Sequence, residues 1–173
     1  MSYVKKTCEV LVVTEKDFYS GYQEFKTPIS DIQIGHVIKT YDELSEEWST
    51  DVVTGIHKSK LSNFVDFNIE VGYEGIGYFS INGSSNFQCV ATSSLLTLIG
   101  WCSFFPISHN RPFLTGTPLV NLERNNQVMI PITSQYERID SIEFIPCQDE
   151  LVYSLSLKTD YSYVVDNYIL HIL

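Results

Sequence analysis

The sequence predicts an all-β fold, a single compact domain of many short and mostly antiparallel strands. Three observations support this prediction. Apolar and polar residues alternate in short runs, turn-forming residues interrupt these runs every ~8–12 residues, and no long apolar stripe repeats with the period of a helix. The chain has 173 residues, enough for one domain with its own core. No linker, repeat or low-complexity tract divides it, so we expect one domain over residues 1–173.

Strand signals follow one another along the chain. Residues 9–13 form a β-branched apolar run, and residues 51–57 and 63–71 alternate between apolar and polar side chains. Isoleucines on both sides of Gly35 bracket a turn. Four further strands are predicted nearer the carboxyl end, at residues 128–132, 139–145, 151–157 and 162–170.

A hairpin is predicted at residues 82–86, because the Asn-Gly pair there tolerates positive φ. It joins strands that we expect at residues 73–81 and 87–92. Helical signals are nearly missing from the chain. The candidates are short, at residues 14–20, 41–47 and 94–99.

Charge and composition exclude several classes of function. The chain carries 21 acidic against 11 basic side chains, for a net charge of -10. Acidic proteins repel phosphate backbones, and no Lys/Arg-rich block is present, so we expect no direct nucleic-acid partner. No apolar run approaches the ~20 residues that span a bilayer, and the amino terminus lacks the apolar region of a signal peptide. We therefore expect a cytoplasmic protein that does not enter a membrane.

The four cysteines indicate a reducing compartment. They are Cys8, Cys89, Cys102 and Cys147, and no two of them form a Cys-x-x-Cys pair. Their apolar surroundings predict buried free thiols in place of disulfides. Zinc spacing is absent, and the glycine-rich residues 72–77 do not open a helix as a phosphate loop would. We expect no metal and no cofactor.

Four segments share an ordered pattern. Residues 7–11 read Thr-Cys-Glu-Val-Leu, and residues 27–42 contain isoleucines spaced before Gly35-His-Val-Ile. Residues 107–115 read Ile-Ser-His-Asn-Arg-Pro-Phe-Leu-Thr, and residues 150–173 form a strand, a polar turn and a second strand ending at His171. In this order the segments resemble the Hint family, the self-processing domains of inteins and hedgehog proteins. The resemblance covers most of the chain and implies the all-β Hint fold.

The resemblance also implies a chemistry. In the family, a Cys or Ser side chain attacks the preceding peptide carbonyl, and a histidine in the middle motif protonates the leaving nitrogen. An aspartate or histidine in the penultimate motif assists. In inteins a final asparagine, preceded by histidine, cyclises to release the downstream chain.

The first matching position offers two nucleophiles. Cys8 is the natural candidate, but it lies directly against the predicted strand, where a packed thiol is the simpler interpretation. The family nucleophile stands about six residues earlier, which points to Ser2 or Tyr3. Ser2 has only Met1 to release.

The other matching positions are altered. Arg111 stands where the middle histidine belongs, and arginine cannot shuttle a proton at neutral pH. His109 lies two residues early as a displaced shuttle. In the penultimate motif Thr159 and Tyr161 replace the acid and the imidazole, with Asp160 one place away.

At the carboxyl end His171 matches the family's histidine, but Ile172 stands where asparagine should be. Isoleucine has no nucleophile, so cyclisation cannot occur there. With almost nothing on either flank, splicing would have little to join. The candidate catalytic residues, if self-processing survives, are therefore Cys8, His109 and His171.

Three interpretations stay open. The first is a non-enzymatic interaction or structural module on a catalytically degenerate Hint scaffold, with a protein partner and a larger assembly as one setting. Its aromatic contact surface would comprise Trp101, Phe104, Phe105, Tyr161 and Tyr163, although a core position for residues 100–106 competes with that role. The second is residual self-processing through Cys8 or Ser2. The third is an all-β protein unrelated to Hint domains.

Overall fold

A computed structural model of the chain describes eleven stretches of it. They are residues 2–17, 21–42, 44–60, 75–81, 85–90, 93–103, 120–121, 127–130, 135–139, 141–146 and 151–172. Within them the chain is almost entirely β-strand, with one 3-10 turn at Ile29–Asp31. The prediction of an all-β fold is confirmed.

The strands are numbered along the chain. They are β1 (Val4–Lys5), β2 (Glu9–Asp17), β3 (Gly21–Pro28), β4 (Val37–Asp42), β5 (Glu47–Lys60), β6 (Gly75–Ile81), β7 (Ser85–Val90), β8 (Leu95–Thr97), β9 (Gly100–Ser103), β10 (Val120–Asn121), β11 (Gln127–Ile130), β12 (Gln135–Arg138), β13 (Ser141–Pro146), β14 (Leu151–Leu157), β15 (Ser162–Val165) and β16 (Tyr168–His171).

One continuous series of pairings connects these strands. The order is β10-β9-β8-β16-β15-β2-β4-β5-β14-β1-β7-β6-β13, while β3 pairs with β2 and the β11–β12 hairpin pairs with β8. Every described pairing is antiparallel except that of β9 with β10. Strands from the two ends of the chain are neighbours, since β15 lies beside β2 and β14 beside β1.

The β15–β16 hairpin closes through Asp166 and Asn167. Both have positive φ, 47° and 68°, as a two-residue loop matched to the twist of the strands requires. Asp166 Oδ1 accepts a 2.7 Å hydrogen bond from the Glu9 backbone N–H, and the Asp166 N–H donates to the Glu9 carbonyl at 2.9 Å. The carboxyl-terminal hairpin is thereby fastened to the start of β2.

The core forms where these strands meet. Fully buried side chains on β2, β4, β14 and β15 contact one another, among them Val10, Ile38, Leu155 and Tyr163. A second cluster packs Trp101 between Tyr41 and Ile169. Burial of such large apolar side chains contributes about 1.5–3 kcal/mol each.

Several expectations about individual elements can be compared with the structure. The strands predicted at 9–13 and 51–57 lie within β2 and β5, the hairpin of β6 and β7 is formed, and Gly35 turns with φ 96°. The alternating residues 63–71 lie outside the described part.

The predicted helices are wrong where the structure describes them. Residues 14–17 extend β2, residues 41–42 end β4 before a turn, and residues 95–97 form β8. Cross-strand hydrogen bonds override the weak helical preference of these short stretches. The single strand predicted at 162–170 is also wrong, because the Asp166-Asn167 turn divides it into β15 and β16. No helix in the described stretches is long and apolar enough to cross a membrane.

Candidate functional site

The amino-terminal residues dock onto a pair of serines that precede β8. The Ser94 backbone N–H donates to Ser2 Oγ at 3.0 Å. The Tyr3 N–H donates to Ser93 Oγ at 2.9 Å, and Ser93 Oγ donates to the Tyr3 carbonyl at 3.0 Å. Ser2 and Ser93 are both fully buried. The first described residues are thus held in a closed set of hydrogen bonds.

The carboxyl-terminal histidine reaches the same pair of serines. The His171 N–H donates to the Ser94 carbonyl at 3.0 Å, and β16 pairs with β8 through Leu170 and Leu95. Ser94 therefore contacts Ser2 with its N–H and His171 with its carbonyl. The two ends of the chain meet at one residue, and we call the four residues Ser2, Ser93, Ser94 and His171 the junction site.

The imidazole of His171 is enclosed by aromatic rings. Trp101 meets it edge-on, with ring centroids 4.7 Å apart and an interplanar angle of 83°. Tyr161 stacks on it at 6.4 Å and 19°. Burial lowers the pKa of His171 to about 4, with a smaller contribution of the same sign from the positive amino terminus. The ring is therefore neutral at neutral pH and lacks the acidic imidazolium proton that a leaving group would need.

Residues 159–161, the penultimate motif, lie beside His171. The Ile172 N–H donates to the Tyr161 carbonyl at 2.8 Å. Asp51 on β5 fixes the turn, because its Oδ2 accepts from the Thr159 and Asp160 backbone N–H groups at 2.6 and 2.8 Å. The penultimate motif and the carboxyl-terminal His171-Ile172 segment are therefore adjacent in space.

The two carboxylates that hold this turn, Asp51 and Asp160, have pKa values shifted in opposite directions. Burial alone would raise the pKa of Asp51, but the backbone donors of Asp160, Thr159 and Val52 together lower it. Burial raises the pKa of Asp160, and the charges of Asp51 and Asp42 add to that rise, against a hydrogen bond from the Thr40 hydroxyl that lowers it. Asp51 and Asp160 are both committed to holding the turn.

Cys8 lies in a different environment from the junction site. It is 4% exposed in the hydrophobic core. Burial raises the pKa of its thiol, and the neighbouring Asp166 carboxylate raises it further. The thiolate is the reactive form, so this thiol is protonated and unreactive at neutral pH. Cys8, Cys89 and Cys102 are all buried and outside any disulfide, as the sequence predicted; Cys147 lies outside the described residues.

The aromatic residues predicted to form a contact surface lie in different environments. Trp101 and Tyr163 are 1% and 0% exposed, so as core side chains they cannot contribute to a contact surface, which corrects that expectation. Trp101 is buried because it packs with Tyr41 and Ile169, and Tyr163 because it belongs to the main core. Tyr161 is 42% exposed. Phe104 and Phe105 lie outside the described residues.

The middle motif predicted at residues 107–115 also lies outside the described residues, and with it His109 and Arg111. Ser93 and Ser94 are the residues that contact the amino-terminal segment. Sequence reasoning did not single them out, since serines before a short strand carry no distinctive signal. Thr40 and Asp51 were not singled out either, since a single Thr or Asp within a strand carries no distinctive signal.

A shallow pocket of ≈180 Å³ opens next to this region. It is lined by Tyr41, Asp42, Leu44, Thr159, Asp160, Tyr161 and Ser162. Leu44, at its rim, is 69% exposed. Among the described side chains no group of three or more His, Cys, Asp or Glu residues converges as a metal site would.

Comparison with known proteins identifies the fold. Over 100% of this chain and 99% of its own length, a DnaB intein from Synechocystis sp. PCC 6803 superposes with a TM-score of 0.64 at 13% identity. A bacterial intein-like domain from Clostridium thermocellum gives 0.65 at 11% identity, with 100% and 99% coverage. An intein from a hyperthermophile gives 0.62 at 12%, with 99% of both chains covered.

The protein therefore has the Hint-type fold of inteins and intein-like domains. No protein-family profile matches the sequence, and no curated protein matches it either. At these identities the likeness establishes the fold, and any chemistry must be argued from the side chains of the junction site.

Proposed function

We propose that this protein is a Hint-type scaffold that has lost self-processing and acts as a non-enzymatic interaction or structural module. The observation that carries the proposal is the environment of His171, which is fully buried, neutral at neutral pH and followed by Ile172. A general acid works best with a pKa near the operating pH. With a pKa of about 4, His171 is not in its imidazolium form when an amide nitrogen needs a proton.

The remaining positions support the proposal. The amino-terminal segment meets the hydroxyl of Ser93 and the backbone N–H of Ser94, and neither group accepts or releases a proton readily near pH 7. Cys8 is held as a thiol in the core. Asp51 and Asp160 hold the 159–161 turn. Among the described residues, Cys8, Asp51 and Asp160 therefore have structural roles.

A gain-of-function variant tests the loss of processing at the carboxyl end. A reporter domain is fused after Leu173, and Ile172→Asn supplies the side-chain amide that could attack its own carbonyl. We expect the fusion to stay intact over days at neutral pH, because the neutral His171 cannot protonate the departing nitrogen. Release of the reporter by Ile172→Asn, abolished by adding His171→Ala, would contradict the proposal.

The proposed partner face is the pocket beside the turn. Tyr161 and Leu44 present apolar surface at its rim, 42% and 69% exposed. Exposed aromatic and aliphatic side chains around a concavity are typical anchors of protein contacts. This face replaces the one predicted around Trp101 and Tyr163.

A photo-crosslinking amino acid placed at position 161 tests this face. A still more exposed apolar position that does not line the pocket, Ile34 at 68%, carries the same amino acid as the control. We expect a discrete crosslinked protein from position 161 alone. With that protein purified, Leu44→Ala and Tyr161→Ala should each weaken binding by about 1–2 kcal/mol, whereas equal capture from both positions would contradict the assignment.

Residual processing at Ser2 is the second candidate, favoured by the meeting of Ser2 and His171 on Ser94. Ser2 Oγ would attack the carbonyl carbon before it, forming an ester as the C–N bond breaks and the serine nitrogen becomes an amine. The hydroxyl proton would pass to that nitrogen. Hydroxylamine cleaves such an ester, so release of the preceding residues that Ser2→Ala abolishes would favour this candidate.

A further inference from the structure

Strand β3 is an edge of the described sheet. It pairs with β2 along its length, from Glu9 opposite Pro28 to Asp17 opposite Gly21, and with no other described strand. Its residues are mostly exposed, unlike those of β2, and include Tyr22 at 73% and Phe25 at 44%. An exposed edge of eight residues presents unpaired backbone groups that can accept another strand.

The side chains of β3 are complementary to themselves in one register. If two copies of the strand run antiparallel about a two-fold axis through Phe25, Phe25 faces its own copy. Glu24 then lies opposite Lys26 of the second copy, and Lys26 opposite its Glu24. Aromatic pairs and opposite charges directly across an antiparallel ladder stabilise the pairing.

Other registers lack this complementarity. A two-fold axis through Glu24 or through Lys26 places that charge opposite itself, and an axis between Glu24 and Phe25 leaves both charges without a charged counterpart. Parallel in-register pairing places Lys26 against Lys26. Like charges directly opposite are destabilising. The charges on this edge therefore select one antiparallel register.

We propose that β3 is a homodimer interface, in which two copies of this chain pair edge to edge, antiparallel and centred on Phe25. A lysine on an edge strand ordinarily discourages pairing, but in this register Lys26 meets a carboxylate. Glu24 also contacts Lys39 of its own chain at 2.8 Å through Oε1, which leaves Oε2 for Lys26 of the second copy. The net charge of -10 on each chain opposes association at long range, so the dimer strengthens when salt screens that repulsion. This inference is independent of whether the chain processes itself.

A charge-reversal pair tests the register. Glu24→Lys gives a chain with two lysines on the edge, and Lys26→Glu gives a chain with two glutamates. We expect the unmodified chain to dimerise with rising concentration in analytical ultracentrifugation. Each variant alone should dimerise at least ~10-fold more weakly. Mixing the two should restore a heterodimer, because every charge then faces its opposite.

Disulfide trapping gives a second readout that does not depend on charge. Phe25→Cys should form an intermolecular disulfide under mild oxidation, since position 25 faces itself, whereas Tyr22→Cys should not, since position 22 faces Pro28. Ile99→Lys, which changes an exposed apolar residue in the turn between β8 and β9, is the control and should leave the dimer unchanged. A monomer at all concentrations, a mixture that stays monomeric, or equal trapping at positions 22 and 25 would each overturn the proposal.

Discussion

Titration of His171 should make the stability of the fold fall below neutral pH. Its pKa is lowered from 6.5 to about 4 in the folded protein. Between these two pKa values, His171 is therefore protonated in the unfolded chain and neutral in the folded chain. The contribution of His171 to the free energy of unfolding is fully present above pH ~6.5. It decreases as the pH falls from there toward 4. At ~1.36 kcal/mol per pKa unit, the loss due to His171 over this window is about 3 kcal/mol.

The assay is urea unfolding at a series of pH values between 7.5 and 4, for the unmodified chain and for His171→Gln. Gln does not titrate, so the difference between the two stabilities isolates the contribution of His171. We expect that difference to change by about 3 kcal/mol, with the variant gaining relative stability as the pH falls. Two results would refute the neutral, buried His171 on which the proposed function depends. One is a stability difference that stays constant from pH 7.5 to 4, and the other is a His171 imidazole NMR signal that titrates near pH 6.5.

Three further predictions concern the turns that frame the site. Asp51→Ala should lower the free energy of unfolding by about 3 kcal/mol, since three charge-assisted hydrogen bonds are lost. Asp51→Asn should lower it by less. Equal urea midpoints for Asp51→Ala and the unmodified chain would contradict this prediction. Asp160→Asn should stabilise the fold at pH 7, because the raised pKa means that the folded state disfavours this charge. That gain in stability should vanish at a pH below the ordinary carboxyl pKa, where Asp160 is protonated in both states. A loss of stability at pH 7 on Asp160→Asn would argue against this prediction. Asn167→Val should destabilise by about 1–2 kcal/mol, because a β-branched residue must adopt φ 68°. Thermal unfolding checks it, with Asn167→Gly as the tolerated control.

Much of the fold could be predicted from local pattern. The apolar run of β2, the Asn-Gly hairpin between β6 and β7, and the Gly35 turn are signalled by side-chain alternation and by residues that tolerate positive φ. The division of β15 from β16 was missed because residues 162–170 are apolar on both faces. The Asp166-Asn167 pair that turns the chain is less distinctive than Asn-Gly.

The candidate site was predictable only in part, because it is assembled by long-range contacts. The sequence singles out His171 as the position that matches the family's histidine, but its enclosure by Trp101 and Tyr161 depends on residues far apart in sequence. Ser93 and Ser94 belong to the site because Ser93 hydrogen-bonds Tyr3, while Ser94 hydrogen-bonds both Ser2 and His171. The burial of Trp101 and Tyr163 likewise follows from tertiary packing that no local pattern encodes.

The most direct test of the proposed loss of processing is the intact mass of the chain carrying a reporter domain before Met1. The mass is recorded with and without dithiothreitol and hydroxylamine. The account predicts one unchanged mass, equal to the reporter plus the 19.8 kDa of this chain, under all conditions. Release of the reporter by either reagent, abolished by Ser2→Ala or by Cys8→Ser, would show that the site still processes and would contradict the account.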